Sequence, residues 1–247
     1  MTPPLFSIIT VCFNAKPQLP STVASLRAQA QADGVEWVVV DGASTDGAAA
    51  WLAGQQPDVF VSEPDRGIYD AMNKGIGLAR GQWLFFLNAG DALADADVLR
   101  DVQVAIAAQP GAQIVYGDVL YFGERGQHRH RFHWLTRRRL LFGDLCHQAV
   151  FVRRSLFDHF GRFDTSLRWN SDFDWFLRAF SGSARLHYLR RDIARFDDAG
   201  SHVQHAVRSE AERRTVRRRH LPLPLWQLGN WLLRLELKLR RLAGQET

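Results

Sequence analysis

Between Val59 and Asp91 the chain reads VFVSEPDRGIYDAMNKGIGLARGQWLFFLNAGD: a short apolar run, a helix-like segment, and a second apolar run, WLFFL. Polar residues follow each apolar run at once, Glu63, Asp65 and Arg66 after the first, Asn88 and Asp91 after the second. A strand, a helix and a strand in this order close as a right-handed unit with parallel strands. In such a sheet the residues just past the carboxyl ends of the strands line the ligand crevice. The stretch therefore predicts two neighbouring strand ends facing one polar ligand.

The same alternation extends in both directions. Leu5–Cys12 and Val35–Val40 are β-branched runs that predict buried strands, with a helix from Pro20 to about Ala32 between them. Residues 58–62 and 82–87 are the third and fourth strands, and Ile68–Arg80 is the helix that joins them. After Val40 the turn Asp41–Gly47 leads into a short helix that Thr45 or Asp46 can cap. This is an α/β pattern, a Rossmann-like and mostly parallel sheet with helices on both faces. Its crevice loops fall at 13–14, 41–47, 63–67 and 88–91. The second half is less regular. It predicts a helix over 95–108, one long strand or two over 113–122, an edge strand over 126–134 and a strand over 148–152. Helices follow over 153–160 and 171–181, then two short strands over 184–189 and 192–196, and a basic helical tail from His202.

Composition narrows the class. A chain of 247 residues with 46% hydrophobic and 23% charged residues suits one generous domain with an appendage. Two cysteines, Cys12 and Cys146, in apolar surroundings argue against a disulfide framework and for a reducing cytosol. No apolar run approaches the roughly 18–20 residues of a membrane-spanning helix, and the start lacks the basic region of a signal peptide. The net charge of +5 is uneven: residues 205–247 hold ten Lys or Arg against four Asp or Glu, while the rest of the chain is close to neutral.

Asp41, Asp46, Asp65 and Asp91 recur at successive strand ends. Singly, each is an ordinary turn or cap residue; jointly, the topology converges them on one crevice. An acidic crevice suits Mg²⁺ or Mn²⁺ bound together with a diphosphate, because these hard cations take oxygen ligands. The run Gly75-Ile76-Gly77-Leu78-Ala79-Arg80-Gly81 is not a dinucleotide fingerprint. That motif follows a strand and opens a helix, whereas these glycines close a helix and precede a strand, so capping and close packing explain them better. His128, His130 and His133 divide between the two faces of a strand and predict a basic edge rather than a metal cluster.

The ordered set formed by CFN after the first strand, EWVVVDGASTDG, SEPDRGIYDAMNKGIGLARGQWLFFLNAGD, HQAVFVRRSLFDHFGRFD and NSDFDWFLR resembles the family 2 glycosyltransferases of GT-A fold. The likeness spans about residues 5–200 and is nearest to bacterial enzymes of capsule, exopolysaccharide and O-antigen assembly. It implies transfer of a sugar from a nucleotide-diphosphate sugar to a growing glycan with inversion at the anomeric carbon. It also implies a GT-A domain over 1–200, with a nucleotide-sugar-binding half (1–112) and an acceptor half (113–200), and a tail over 201–247. By position, Phe13 and Asn14 lie by the nucleobase, Asp41 contacts base or ribose, and Asn73 and Lys74 flank the donor. The family's Asp-x-Asp metal motif falls on Asn88-Ala89-Gly90. That makes Asp91 the metal ligand, with Asn88 its weaker partner. His202 is a late candidate ligand, and His147 a candidate contact to the acceptor or donor sugar. The family's base, from an acidic pair opening a helix, falls on Asp172.

Leu225, Leu228, Leu232, Leu235, Leu239 and Leu242 share one helical face flanked by Trp226 and Trp231, with arginines and lysines around it. This predicts an amphipathic helix on an anionic membrane, consistent with a polyprenyl-diphosphate-linked acceptor and a place on the inner face of the cytoplasmic membrane. A helix packed on the body, or on a second copy in an oligomer, fits the leucines equally. Two rival functions remain in view at this point. One is a catalytically lapsed nucleotide-sugar-binding or scaffold protein. The other is a nucleic-acid binder, which the tail's tryptophans on a leucine face disfavour because single strands need exposed stacking platforms; no nucleic acid partner is expected.

Overall fold

A computed structural model of the chain describes residues 3–29, 34–123, 126–140, 145–182, 184–197 and 206–221. His202 and the leucine-rich segment 225–242 lie outside the described residues.

The strands are β1 (Phe6–Cys12), β2 (Val35–Asp41), β3 (Val59–Ser62), β4 (Trp83–Phe86), β5 (Ala92–Leu93), β6 (Ile114–Gly123), β7 (Gly126–His130), β8 (Val150–Arg153) and β9 (Leu186–Asp197). Helices α1 (Leu19–Arg27), α2 (Ala48–Ala53) and α3 (Ile68–Leu78) fall between the first four strands. Later come α4 (Val98–Ala108), α5 (Arg137–Leu140), α6 (Ser155–Phe160), α7 (Ser171–Ser181) and α8 (Ala206–His220). One sheet has the order β3-β2-β1-β4-β8-β6-β9-β5, with β7 paired to β6.

The expected parallel unit is present: β2 pairs in parallel with β1 and β3, and β1 with β4. Every residue of β1 is buried, as a strand covered on both faces requires. The sheet then turns mixed, with β8 antiparallel to both β4 and β6, and β9 parallel to β6. The strand directions bring the ends of β1, β2, β3 and β4 and the start of β8 to the same sheet edge.

The structure departs from the sequence expectation in identifiable places. The strands expected over 184–189 and 192–196 are one strand, β9, which carries register shifts opposite Gly117 and Asp118. The polar Arg190-Arg191-Asp192 segment reads as a break but is a bulge, the extra residues being accommodated without ending the pairing. A side chain at Gly117 would meet the Arg191 carbonyl oxygen at 2.6 Å, so only glycine admits the bulge there. The helix α3 stops at Leu78 rather than Arg80, because Arg80 gives its backbone N–H to the buried Glu36 carboxylate (2.8 Å). The glycines near its end are close-packing residues rather than caps: a Cβ at Gly75 would strike Ile9, and one at Gly81 the backbone of Ser7.

An aromatic cluster joins α3, β4, α6 and α7. Phe157 of α6 stacks on Trp175 of α7 at 4.4 Å between centroids. Phe163 packs against Phe86 of β4 at 5.5 Å and Tyr69 of α3 at 5.6 Å. Such rings each bury a large apolar area and fix one another's orientation, which holds α3 and α7 in fixed relation.

Candidate active site

The loops after β1 and β2 are stapled together. Asn14, at φ 47°, takes hydrogen bonds on its side-chain oxygen from the Thr45 N–H (2.8 Å) and hydroxyl (3.3 Å), and its own N–H donates to Ser44 Oγ (2.8 Å). Asp46 accepts from the Lys16 N–H (2.8 Å) and from Ala48 N–H at the start of α2 (2.9 Å), but the cap position itself is Gly47 at φ 84° rather than Thr45 or Asp46. Asp41 is fully buried; its Oδ2 accepts from Ser44 N–H (3.0 Å) and Ser62 Oγ (2.6 Å), while Oδ1 has no partner among the described residues. Phe13 stands 63% exposed above these loops. The Asp65 carboxylate lies over Gly42 and accepts from Gly67 N–H. Thus Phe13, Asn14, Asp41 and Asp65 meet at one place, with Asn14 and Asp46 committed to holding the loops.

Asn73 and Lys74 are on α3, and both bond within the protein. The Asn73 amide makes a two-point pair with the Phe163 backbone, donating to its carbonyl (2.9 Å) and accepting from its N–H (3.0 Å). Lys74 Nζ donates to the Pro64 carbonyl and pairs with Glu63, both at 2.8 Å.

The turn after β4 holds Asn88 and Asp91, both buried, each with one side-chain oxygen, Asn88 Oδ1 and Asp91 Oδ2, lacking a partner among the described residues. Burial pushes the Asp91 carboxyl up to about 6; nearby His147, the Gln148 amide and the Asn88 backbone pull it partly back. Among the described residues no group of three or more His, Cys, Asp or Glu side chains gathers as a metal site. The free oxygens of Asn88 and Asp91 are hard donors of the kind Mg²⁺ and Mn²⁺ accept when phosphates complete the shell, so the residues fit such a cation.

Asp172 opens α7, a helix buried along nearly its whole length, with only Asp172 and Arg178 partly open between Ser171 and Phe180. Its carboxylate is held from three directions. Tyr69 Oη donates to Oδ1 at 2.8 Å, Phe173 N–H donates to the same oxygen at 2.9 Å, and His147 Nδ1–H donates to Oδ2 at 3.0 Å. On the other side of the ring, Asn88 Nδ2 donates to His147 Nε2 at 3.1 Å. A continuous polar chain, Asn88–His147–Asp172–Tyr69, therefore links the turn after β4 to the start of α7. Burial first, then the Asp172 charge, push the Tyr69 phenol well above its ordinary range, so it stays a donor. Sequence reasoning missed Tyr69. It sits on the buried face of α3, and its partner is 103 residues away, so no local spacing marks it. Asp174, two residues on, has different partners, bonding Arg178 (3.0 Å) and His220 (2.9 Å).

Residues 7–175 match the profile described as Glycosyl transferase family 2. The chain belongs to that family. The matched span contains Tyr69, Asn88, Asp91, His147 and Asp172, and stops short of α8. A PGL/p-HBAD biosynthesis glycosyltransferase of Mycobacterium tuberculosis is 36% identical over 210 residues, covering 81% of this chain and 79% of that protein. An uncharacterized glycosyltransferase of the same species is 35% identical over 183 residues, covering 71% and 69%. This family 2 chain is a glycosyltransferase, and its fold is that of GT-A enzymes. Staphylococcus aureus TarS 1–349 in complex with UDP-GlcNAc superposes with a TM-score of 0.69 at 17% identity. The match covers 85% of this chain and 65% of the TarS 1–349 chain, so the chain spans less than two thirds of that structure. A mannosyltransferase from Pyrobaculum calidifontis in complex with GDP-Man and Mn²⁺ gives 0.66 at 19% identity, covering 93% and 69%.

Proposed function

We propose that the chain is an inverting glycosyltransferase that moves a sugar from a nucleotide-diphosphate donor to a hydroxyl of a glycan acceptor carried on a polyprenyl diphosphate. The observation that carries the reading is the polar chain from Asn88 through His147 to Asp172 and Tyr69. It ties a strand-end turn suited to a diphosphate to a partly open carboxylate suited to a proton.

Asp172 takes the proton of the acceptor hydroxyl as that oxygen forms its bond to the anomeric carbon. The bond from that carbon to the diphosphate breaks on the opposite face, and the nucleoside diphosphate leaves with the electron pair. A positioned base of this kind contributes about 10²- to 10⁴-fold. Tyr69 and His147 fix the carboxylate's orientation, and the contact to the sugar is assigned to His147. Asp41 Oδ1, buried without a partner among the described residues, accepts from the base or a ribose hydroxyl, and Phe13 supplies an exposed ring for the base. Asp91, with Asn88, would hold a divalent cation, which supplies charge neutralisation to the departing diphosphate. The Mn²⁺ and GDP-Man of the Pyrobaculum neighbour and the UDP-GlcNAc of TarS support this donor class.

The described part of the tail does not read as a nucleic-acid surface. Arg213 lies 4.4 Å over the Phe173 ring, Arg217 is buried, Arg219 pairs with Asp164 and Arg214 with Glu210. Peripheral contact with the inner face of the membrane is assigned to segment 225–242. Among the described residues no helix is long and apolar enough to cross a membrane. Truncation after His220 should abolish co-sedimentation with anionic vesicles; unchanged sedimentation removes this assignment.

The central test pairs binding with turnover. Thermal shifts with UDP, GDP, UDP-GlcNAc and GDP-mannose, with and without Mn²⁺, should show a Mn²⁺-dependent gain for one nucleotide. Asp172→Asn should keep that gain and lose at least about 100-fold in release of the nucleoside diphosphate. Retained turnover rejects Asp172 as the base.

A further inference from the structure

The helix α8 lies outside the family match, yet it is built into the approach to α7. Glu212 projects from α8 to three successive backbone N–H groups that precede α7. Its Oε1 accepts from Arg168 at 2.7 Å, and its Oε2 from Trp169 at 2.8 Å and Asn170 at 2.9 Å. Three consecutive amides converging on one carboxylate form an anion nest, here filled by the chain's own side chain. Asn170, at the N-cap position of α7 though its side chain does not cap the helix, completes the joint: its Nδ2 donates to the Ser209 carbonyl at 2.9 Å and to Glu212 Oε2 at 3.2 Å. Further along, Arg213 covers the Phe173 ring and His220 bonds Asp174 at 2.9 Å. Every one of these contacts falls within the stretch 168–174 that has Asp172 near its middle.

We propose that Glu212 is a positioning residue for Asp172, acting through the backbone of residues 168–170 to set where α7 begins. The proposal rests on the reading of Asp172 as the base. Removing the carboxylate leaves three amides without their acceptor and frees the loop two residues ahead of that base. Displacing a reacting group by about 1 Å costs on the order of 100-fold in rate, so the effect belongs in kcat and not in donor binding.

The experiment uses the full chain, with UDP-GlcNAc or GDP-mannose as the donor probe, whichever it turns over with Mn²⁺, and water as the acceptor. Glu212→Ala should lower kcat by roughly 10- to 100-fold with the donor KM changed less than about threefold. Glu212→Gln, which keeps an acceptor oxygen, should recover part of the loss and covers the case in which the alanine variant fails to fold. Hydrogen exchange should show lost protection at the amides of 168–170 in Glu212→Ala. In an Asp172→Asn background the Glu212 substitution should add almost nothing, because both act through one group. Full additivity overturns the proposal, as does an unchanged kcat in Glu212→Ala alongside a dead Asp172→Asn. Full turnover in Asp172→Asn instead overturns the base reading, and the proposal with it, whatever Glu212 does.

Discussion

The parallel strands β3, β2, β1 and β4 and the mixed strands β8, β6 and β9 both deliver polar groups to one edge of the sheet, by different means. On the parallel side the turns are held by neighbours across one βαβ step, as Asn14 is by Ser44 and Thr45, and Lys16 by Asp46. On the mixed side the key groups depend on distant segments. Asp172 leans on Tyr69 and His147, and the Phe163 backbone ahead of α7 is held by Asn73 of α3, 90 residues earlier. A parallel βαβ unit brings consecutive strand ends together by topology alone. The mixed half has no such rule and relies on specific side chains. The first arrangement should fail through packing and the second through single hydrogen bonds, which gives three ways to break or sharpen the contrast.

The largest effect belongs to Gly81, which lies against β1. A Cβ there would sit 2.5 Å from the Ser7 nitrogen and 2.6 Å from the Phe6 carbonyl carbon, and backbone cannot swing aside as a side chain can. The Gly81 N–H also donates to Ser7 Oγ, which in turn donates to the buried Glu36. Gly81→Ala should cost about 3 kcal/mol or more, the upper end for overpacking, read as a fall in the urea midpoint. A loss below about 1 kcal/mol would mean that the parallel half yields easily, and the contrast collapses.

The same contrast decides what could be read from sequence. Apolar runs and their spacing located β1 to β4 and placed α7 at Ser171–Ser181, because burial of continuous strands and helix faces is a local signal. Asp41, Asn88 and Asp91 were legible as polar residues at strand ends, and Asp172 only through the family resemblance. Tyr69 and Glu212 were not: one looks like an apolar-face tyrosine, the other like one acid on a basic helix. The continuity of β9 through Arg190, Arg191 and Asp192 was hidden for a related reason. Arg191 leaves the ladder to pair with Asp95 and Asp101, a compensation that only the folded chain displays. The two-residue strand β5 exists through its pairing to Arg195 and Ala194 and has no pattern of its own.

Asp91 lies at the seam between the two halves and gives the second prediction. Its folded carboxyl is raised to about 6 by burial, above the ordinary value that holds unfolded. The folded state therefore favours the protonated acid. Stability from this group is intact below about pH 4, falls as pH rises toward 6, and by pH 7 carries a cost of about 3 kcal/mol. Asp91→Asn removes the charge, so unfolding midpoints should rise at pH 7 and barely change at pH 4. The same variant should lose the Mn²⁺-dependent stabilisation by nucleotide that the cation reading requires. Equal gains at both pH values would show that desolvation is not the source of the strain, and the seam would then be no different from an ordinary turn.

The smallest expected effect isolates a single hydrogen bond across the seam. Tyr69→Phe keeps the ring that packs on Phe163 at 5.6 Å and deletes only the hydroxyl that donates to Asp172 at 2.8 Å. Because the phenol stays protonated, the bond is present at any working pH and its loss is not confounded by titration of the tyrosine. Hydrogen bonds to a charged group are worth about 1.5–3 kcal/mol in place. His147 and the Phe173 N–H still hold the carboxylate, so the cost should fall at the low end, roughly a tenfold drop in kcat. Donor KM and the nucleotide thermal shift should stay as in the parent, since the loops that hold Phe13, Asn14 and Asp41 make no use of this hydroxyl. A tenfold loss confined to kcat would show that α3, a parallel-side element, orients the base on the mixed side. Unchanged turnover would mean that the base is oriented without the hydrogen bond from α3.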